Sequence, residues 1–428
     1  MKRKLSFFVV TLGCPKNEVE SDVIRTKLSG KFKETLNINQ ADYIIVNTCA
    51  FVKSAVTQSD EVINELLNSK KKNQNIVVTG CYIGRSSEQL ENKFGGNIII
   101  KQIPELHTLI SDNQKPDNAE IIYRTNYENA NFAYIKISDG CNKKCGYCTI
   151  PKIKGKYASR NIDSILLETE TLLKSGIKEI ILVSQDTCYY GIDTGIRNGL
   201  IELLKKITLF NYDYRIRLMY LNPDGITRGL LKIISDNEKI CNYLDMPVQH
   251  TETEILKAMR RPFTRTKIFE LVNFIRKYNP DISIRSVVIT GYPGETDRIF
   301  RNMLEALKIL KFDQLGCFEY SDEPDAYSFT LKNKVAANIK TKRYNQIMAQ
   351  QQKISALLNS QKTGLIQKVI IDGYDSENKL YLARNEYNAP EIDGYVLFKT
   401  KKNIDFKKFY NIKIQKSTEY DLLGELVL

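Results

Sequence analysis

The sequence predicts an α/β chain built from an N-terminal βαβ domain (1–125), a partial (βα)6 barrel (126–335), a connecting helix (336–362) and a small C-terminal antiparallel β-barrel (363–428). Three observations predict it. Short apolar runs alternate with helical patterns through the first three quarters of the chain, the signature of parallel sheets. A polar stretch then follows, "ANIKTKRYNQIMAQQQKISALLNSQKT", which has no helix breaker until Gly364. From Thr363 onward, apolar and polar residues alternate in short runs separated by turn residues, as in hairpins.

In the first part, "FFVVTLGC", "YIIVNTCA" and "IVVTGCYI" read as buried strands, with a helix over 52–69 between two of them. Each strand ends at a cysteine: Cys14, Cys49 and Cys81. Parallel strands in such units point the same way, so their carboxyl ends share one edge and the three thiols converge. A lone cysteine there reads as a small packing residue, but three in register read as ligands. The run Lys70–Lys72 reads as a solvated loop.

The second part offers six strands: "FAYIKIS", "IKEIILVSQD", "YRIRLMYL", "YLDMPVQH", "SIRSVVITGYPG" and "LGCFEYSD". Helical patterns such as 162–174, 252–260 and 295–310 lie between them. Six units make a TIM-like barrel two short of closure, open enough to admit a large substrate. Polar or glycine-rich residues follow many of these strands: Gln185 and Asp186, Gln249 and His250, and Gly291 to Glu295. That face carries the chemistry in such barrels. The tail gives five strands, "LIQKVIIDGY", "KLYLARNE", "GYVLFKT", "FYNIKIQKS" and "YDLLGELVL", enough for a small barrel.

Composition limits what such a chain does. It has 428 residues, 42% hydrophobic and 26% charged, consistent with two to four ordinary globular cores. No apolar run approaches the ~18 residues of a membrane helix. The start, "MKRKLSFFVVTLGC", imitates a lipoprotein signal, but its apolar run is short and Cys14 belongs to the trio above, so a cytoplasmic protein is expected. Nine cysteines there point to metal or redox use, and two histidines leave little room for mixed Cys/His sites. A net charge of +13 suggests an anionic partner such as nucleic acid or the ribosome.

The sharpest motif is "SDGCNKKCGYCTIPKIKGK", which brings Cys141, Cys145 and Cys148 together in a loop after the first barrel strand. A structural zinc needs a fourth protein ligand, and none lies nearby. A cubane iron–sulfur cluster takes three cysteines and leaves one iron open.

This spacing, in that place, with Tyr147 before the last cysteine, resembles the radical S-adenosylmethionine (SAM) enzymes. The resemblance implies a [4Fe–4S] cluster on catalytic Cys141, Cys145 and Cys148. Its open iron would take SAM, and its electron would release a 5′-deoxyadenosyl radical. Together with the first trio, the whole chain resembles the radical SAM methylthiotransferases, which join a three-cysteine domain and a radical domain to a TRAM barrel. That likeness implies a second [4Fe–4S] cluster on Cys14, Cys49 and Cys81 that holds the sulfur to be transferred. It also implies an electron donor such as flavodoxin or ferredoxin. Tyr147, Gln185, Asp186, Gln249, Gly291 and Gly294 are the expected residues around SAM.

Two branches of that family compete. One modifies adenosine in transfer RNA, and the other an aspartate β-carbon of the twelfth small-subunit ribosomal protein. "TLGCPKN", "YLDMPVQH", "LKAMRRPFT" and "APEIDGYV" resemble the second; Pro15 and Lys16 stand where the first branch has glutamine and methionine. Ala383 departs from that pattern, which commonly has glycine there. Charge agrees with the second branch: from Thr363 to Leu428 ten Lys/Arg balance ten Asp/Glu, whereas a barrel gripping RNA is basic. Glu386, Glu391 and Asp393 are expected to meet basic side chains of the substrate protein. The readings set against this are transfer-RNA methylthiolation and a non-catalytic iron–sulfur sensor or RNA-binding protein. Arg285 reads as a surface residue as easily as a site residue, His250 as a strand cap, and Cys188, Cys241 and Cys317 as packing residues.

Overall fold

The computed structural model describes residues 4–109 and 130–427. The expected boundary at 125/126 lies outside the described residues.

The N-terminal domain runs β1 (Ser6–Thr11), α1 (Pro15–Ser29), β2 (Lys33–Glu34), β3 (Tyr43–Thr48), α2 (Lys53–Ser69), β4 (Asn75–Gly80), α3 (Cys81–Phe94) and β5 (Ile99–Ile100). The strands pair in parallel in the order β2-β1-β3-β4-β5. Two of them, β2 and β5, are absent from the sequence reading, because two-residue edge strands carry no periodic pattern. Both faces of the sheet are covered. Phe7, Val9, Ile45 and Val77 pack against Ile24 and Leu28 of α1, and Ile44, Val46, Ile76 and Val78 against Ile63, Tyr82 and Leu90. Burial on both sides is why these strands read as continuous apolar runs.

The barrel opens with β6 (Phe132–Lys136) and a short antiparallel pair, β7 (Ser138–Asp139) and β8 (Ala158–Ser159), with α4 (Ile150–Lys154) between its strands. It continues through α5 (Ile162–Lys174), β9 (Glu179–Val183), α6 (Gly199–Ile207), β10 (Arg215–Leu218), α7 (Arg228–Asp236) and β11 (Tyr243–Asp245). It ends with α8 (Thr253–Ala258), α9 (Arg265–Tyr278), β12 (Ser283–Thr290), α10 (Asp297–Leu310) and β13 (Gln314–Glu319). Two parallel three-stranded sheets, β6-β9-β10 and β11-β12-β13, meet at the bridge Ile216–Ile240, giving the six-strand arc the sequence predicts. Helices start where side chains cap them: Thr227, Thr264 and Thr296 each accept a hydrogen bond from the backbone N–H three residues on, opening α7, α9 and α10.

The long helix α11 (Ala337–Ser360) leads to the tail: β14 (Ile366–Asp375), β15 (Leu380–Arg384), β16 (Val396–Phe398), β17 (Phe409–Ser417) and β18 (Leu422–Leu426). These close a barrel in the order β14-β15-β16-β18-β17 around Val369, Ile371, Phe398, Ile412 and Ile414. The expectation of a wholly antiparallel barrel needs correcting in one pairing, β16–β18, which is parallel. Five strands closed in a ring cannot all alternate in direction, so at least one neighbouring pair must run the same way.

Candidate functional site

Each cysteine of the first trio sits where its strand ends. Cys14 caps α1, with Pro15 at the first helical position; Cys49 follows β3; and Cys81 opens α3 straight after β4. Gly13 lies so close to Cys49 that a Cβ would stand 2.7 Å from the cysteine's own Cβ, and its φ of +99° suits only glycine. Asn17 ties the trio together. Its Nδ2 donates to Thr48 O at 3.0 Å, and its Oδ1 accepts from the thiols of Cys14 at 3.5 Å and Cys81 at 3.9 Å.

The second trio lies in the loop clamped by β7 and β8. At its start, Gly140 has φ +72° and a Cβ there would strike Lys156 O at 2.1 Å. Lys143 N donates to Cys141 Sγ at 3.4 Å, and Arg261 Nη1 reaches Cys145 Sγ at 3.9 Å. Gly146 N donates to Met259 O and Gly146 O accepts from Ser328 N, holding the loop from both sides.

One cavity of about 500 Å³ is lined by all six of these cysteines, and by Tyr147, Gln185, Asp186 and Gln249 as well. Gly291 and Gly294, expected beside the cofactor, are not among its walls. Gly291 packs on α11, where a Cβ would come within 2.4 Å of Lys340 Cγ, and its N–H donates to Glu295; Gly294 N donates to Asn333 O. Their left-handed backbones serve the turn beneath the connecting helix.

Four atoms of the polar wall lack partners among the described residues. Gln185 Oε1, Asp186 Oδ1, Asn222 Oδ1 and Arg261 Nε are buried and make no hydrogen bond. Unpaired polar atoms at such a density cost stability unless a ligand engages them. Burial pushes the Asp186 carboxyl up to about 6, against the pull of Lys143, which lies 3.9 Å away. Burial likewise pushes the Cys81 and Cys148 thiols up to about 12.

The donor set fits iron–sulfur clusters. Each trio is all-sulfur, stands at a cavity wall and has no fourth protein ligand among the described residues. Among the described residues no three His, Cys, Asp or Glu side chains converge as on one metal ion. A cubane takes its thiolates at separate corners, so its ligands need not meet at a point.

The sequence reading takes Lys16 only as a branch marker and misses Asn17, Lys143, Lys154, Tyr220, Asn222 and Arg261; all of these line the cavity. Asn17 is legible from its spacing, one helical turn after Cys14 on the same face; the rest carry no signal in isolation. The acidic tail residues also need correction. Asp393 has a side chain only 1% exposed, bound to Arg285 at 3.3 Å and Tyr243 at 2.7 Å. Glu386 accepts from both the backbone and the side-chain nitrogen of Asn242, each at 2.9 Å. These carboxylates join the tail to the barrel, and only Glu391 belongs to an exposed residue. Arg285, between Asp245 and Asp393, is part of the same junction rather than the surface. His250 is fully buried and does more than cap a strand: its Nε2 lies 3.2 Å from Glu295, which also binds Arg343 of α11. Cys241 and Cys317 are buried in packing.

Comparison with known proteins finds three family matches along the chain. Residues 6–100 match the uncharacterized protein family UPF0004, 135–307 the radical SAM superfamily and 363–427 the TRAM domain. The chain is 38% identical to the ribosomal protein uS12 methylthiotransferase RimO of Pseudothermotoga lettingae, over 98% of this chain and 99% of that one. It is 37% identical to the protein of that name from Clostridium acetobutylicum (98% of each chain), and 38% identical to that from Carboxydothermus hydrogenoformans (99% and 100%). Among solved structures, the radical SAM methyltransferase TsrM of Kitasatospora setae, with cobalamin and a [4Fe-4S] cluster bound, superposes with a TM-score of 0.56 at 15% identity. That match covers 86% of this chain and 81% of the other, a likeness of fold.

Proposed function

The chain belongs to the ribosomal protein uS12 methylthiotransferases, and from that membership we propose that it replaces a hydrogen on the β-carbon of a uS12 aspartate with a methylthio group, using two [4Fe–4S] clusters. It is a radical SAM methylthiotransferase with an iron–sulfur cluster and SAM as cofactors and a ribosomal protein as substrate. The observation that carries the finer reading is the single cavity bordered by two cysteine trios from different domains. Cys141, Cys145 and Cys148 would hold one cluster and Cys14, Cys49 and Cys81 the other. When bound, the first group supplies the electron that opens SAM to a 5′-deoxyadenosyl radical, and the second presents the sulfur.

The chain's own residues then have distinct tasks. Gln185, Asp186 and Asn222 offer acceptors, and Arg261 a donor, to the polar groups of SAM. Phe51 and Phe318 are exposed where they border the cavity and give a protein loop an apolar rim to cover, which keeps water from a reactive carbon. Both cysteine sets face one space, so the activated carbon and the waiting sulfur need not travel. We take the units as 1–125, 126–335, 336–362 and 363–428, the setting as the cytoplasm and the electron donor as a flavodoxin or ferredoxin.

Mass spectrometry of uS12 and transfer RNA from a deletion strain tests the reading. Loss of the methylthio group from uS12 alone is the expected result. Its loss from a transfer-RNA adenosine, with uS12 unchanged, overturns it.

A further inference from the structure

We infer that Lys16 binds the side-chain carboxylate of the target aspartate, and that Tyr220 positions Lys16 for it. The inference rests on the uS12 reading above and adds the residue that selects the substrate's functional group. An aspartate's carboxylate is bonded directly to its β-carbon, so fixing the carboxylate fixes the atom to be attacked. A cation at the cavity wall is the group that does this.

Four cationic side chains line the cavity: Lys16, Lys143, Lys154 and Arg261. Three are engaged. Lys143 binds Asp224, with Asp186 at 3.9 Å; Lys154 Nζ lies 2.6 Å from Glu20 Oε1; and Arg261 donates to Pro247 O at 2.9 Å and reaches Cys145 Sγ. Lys16 makes no ion pair and no hydrogen bond among the described residues. Its Nζ stands 3.7 Å from the centre of the Tyr220 ring. An aromatic face holds an ammonium in place without neutralising it, so the full charge remains for an incoming anion.

The position also fits. Lys16 is the second residue of α1, two after Cys14, and it lines the same cavity as both cysteine sets. A carboxylate held there lies in the cavity that both cysteine sets border. Tyr220 is itself held firmly. Its backbone is left-handed (φ +59°), with its N–H donating to Asp245 Oδ2 at 3.0 Å and its carbonyl accepting from Thr187 N at 3.1 Å. A bulky residue keeps such a conformation only where its surroundings demand it.

The test uses cluster-loaded enzyme, anaerobically, with two synthetic peptides copying the uS12 loop, one with its target aspartate and one with asparagine there. Unaltered enzyme should bind the aspartate peptide about tenfold or more tightly, since asparagine has the same shape but leaves the ammonium unpaired. Equal affinities overturn the inference without any variant. Lys16→Met should bring the ratio of turnover on the two peptides close to one, chiefly through KM for the aspartate peptide, and Lys16→Arg should keep it well above one. Tyr220→Phe should keep the ratio and Tyr220→Leu should lower it. A wild-type ratio in iron-loaded Lys16→Met also overturns the assignment. Failure of the underlying reading looks different: neither peptide reacts with unaltered enzyme while transfer RNA does.

Discussion

Gly84 rests on the carbonyl oxygen of Ile153 so closely that a Cβ at residue 84 would come within 2.2 Å of it. Gly84 lies in α3, the helix that Cys81 opens, and Ile153 in α4, the turn of helix after Cys148. The separation of the two cysteine sets is therefore set by backbone against backbone, with no side chain in between to yield. Neighbouring contacts hold the same seam: Arg85 Nη2 meets Glu323 at 2.6 Å, and Thr149 Oγ1 donates to Phe51 O at 3.1 Å.

Replacing Gly84 with alanine should push the two sets apart while leaving each loop intact. Misplacement of reacting groups by about 1 Å can cost about a hundredfold in rate. Gly84→Ala is expected to load its iron and cleave SAM while its methylthio product falls by that order. Anaerobic assays of 5′-deoxyadenosine and of modified uS12, run on the same preparation, check this; equal losses in both would contradict it.

Cys14, Cys49 and Cys81 are legible because strand ends in parallel sheets have a fixed place, so chain position alone converts to spatial position, and Cys141, Cys145 and Cys148 because their close spacing keeps them in one loop. Partnerships across elements are not. Lys16 and Tyr220 lie in different domains, and nothing local in either predicts the other. The acid-rich "APEIDG" looks like an exposed face, but the burial of Asp393 comes from Arg285, far away in the barrel. Gly291 and Gly294 look like a cofactor turn because a strand precedes them, while the helix covering that turn belongs to a later, polar segment whose docking face cannot be read from its pattern.

The two cysteine sets should separate functionally. Alanine at Cys141, Cys145 and Cys148 together is expected to halve the bound iron and abolish 5′-deoxyadenosine formation. Alanine at Cys14, Cys49 and Cys81 should also halve the iron, but should spare SAM cleavage and remove sulfur insertion. Iron analysis and product chromatography read both, and methylthio product from the second variant would contradict the division.

Asp186 stands at a cost in the absence of ligands. Its carboxyl, raised to about 6 by burial, is ionised at neutral pH in a place that disfavours the charge. A shift of that size corresponds to about 3 kcal/mol. Because the folded value is raised, the penalty grows as pH rises from about 4 to 6 and is constant above that. Asp186→Asn should therefore stabilise cluster-free protein by up to ~3 kcal/mol at pH 7.5 and by little below pH 4, while raising KM for SAM. Urea unfolding at the two pH values and initial rates against SAM concentration test both halves.

The tail is fastened to the barrel by a buried charge cluster with its own pH signature. Arg384 of β15 places Nη1 3.0 and 3.2 Å from the two carboxylate oxygens of Glu179, which Arg215 Nε and Arg217 Nε approach at 2.6 and 2.7 Å. Arg384 also binds Asp372 in its own barrel. Burial by itself would raise the Glu179 carboxyl, but the three guanidinium groups together hold it well below the usual carboxylate range. A depressed folded value means that the stabilisation is complete above the ordinary glutamate value of about 4.3 and is lost only as pH falls below it. Glu179→Gln leaves three buried cations facing a neutral amide, and removing one partner from such a cluster typically costs about 3–5 kcal/mol. Denaturant melts should show that deficit nearly constant from pH 8 to 5 and shrinking at lower pH. Limited proteolysis should cut the variant faster between α11 and β14, where a loosened tail exposes chain. A deficit that instead disappears between pH 7 and 5 would show that burial raises the carboxyl above its ordinary value and that the guanidinium groups do not hold it.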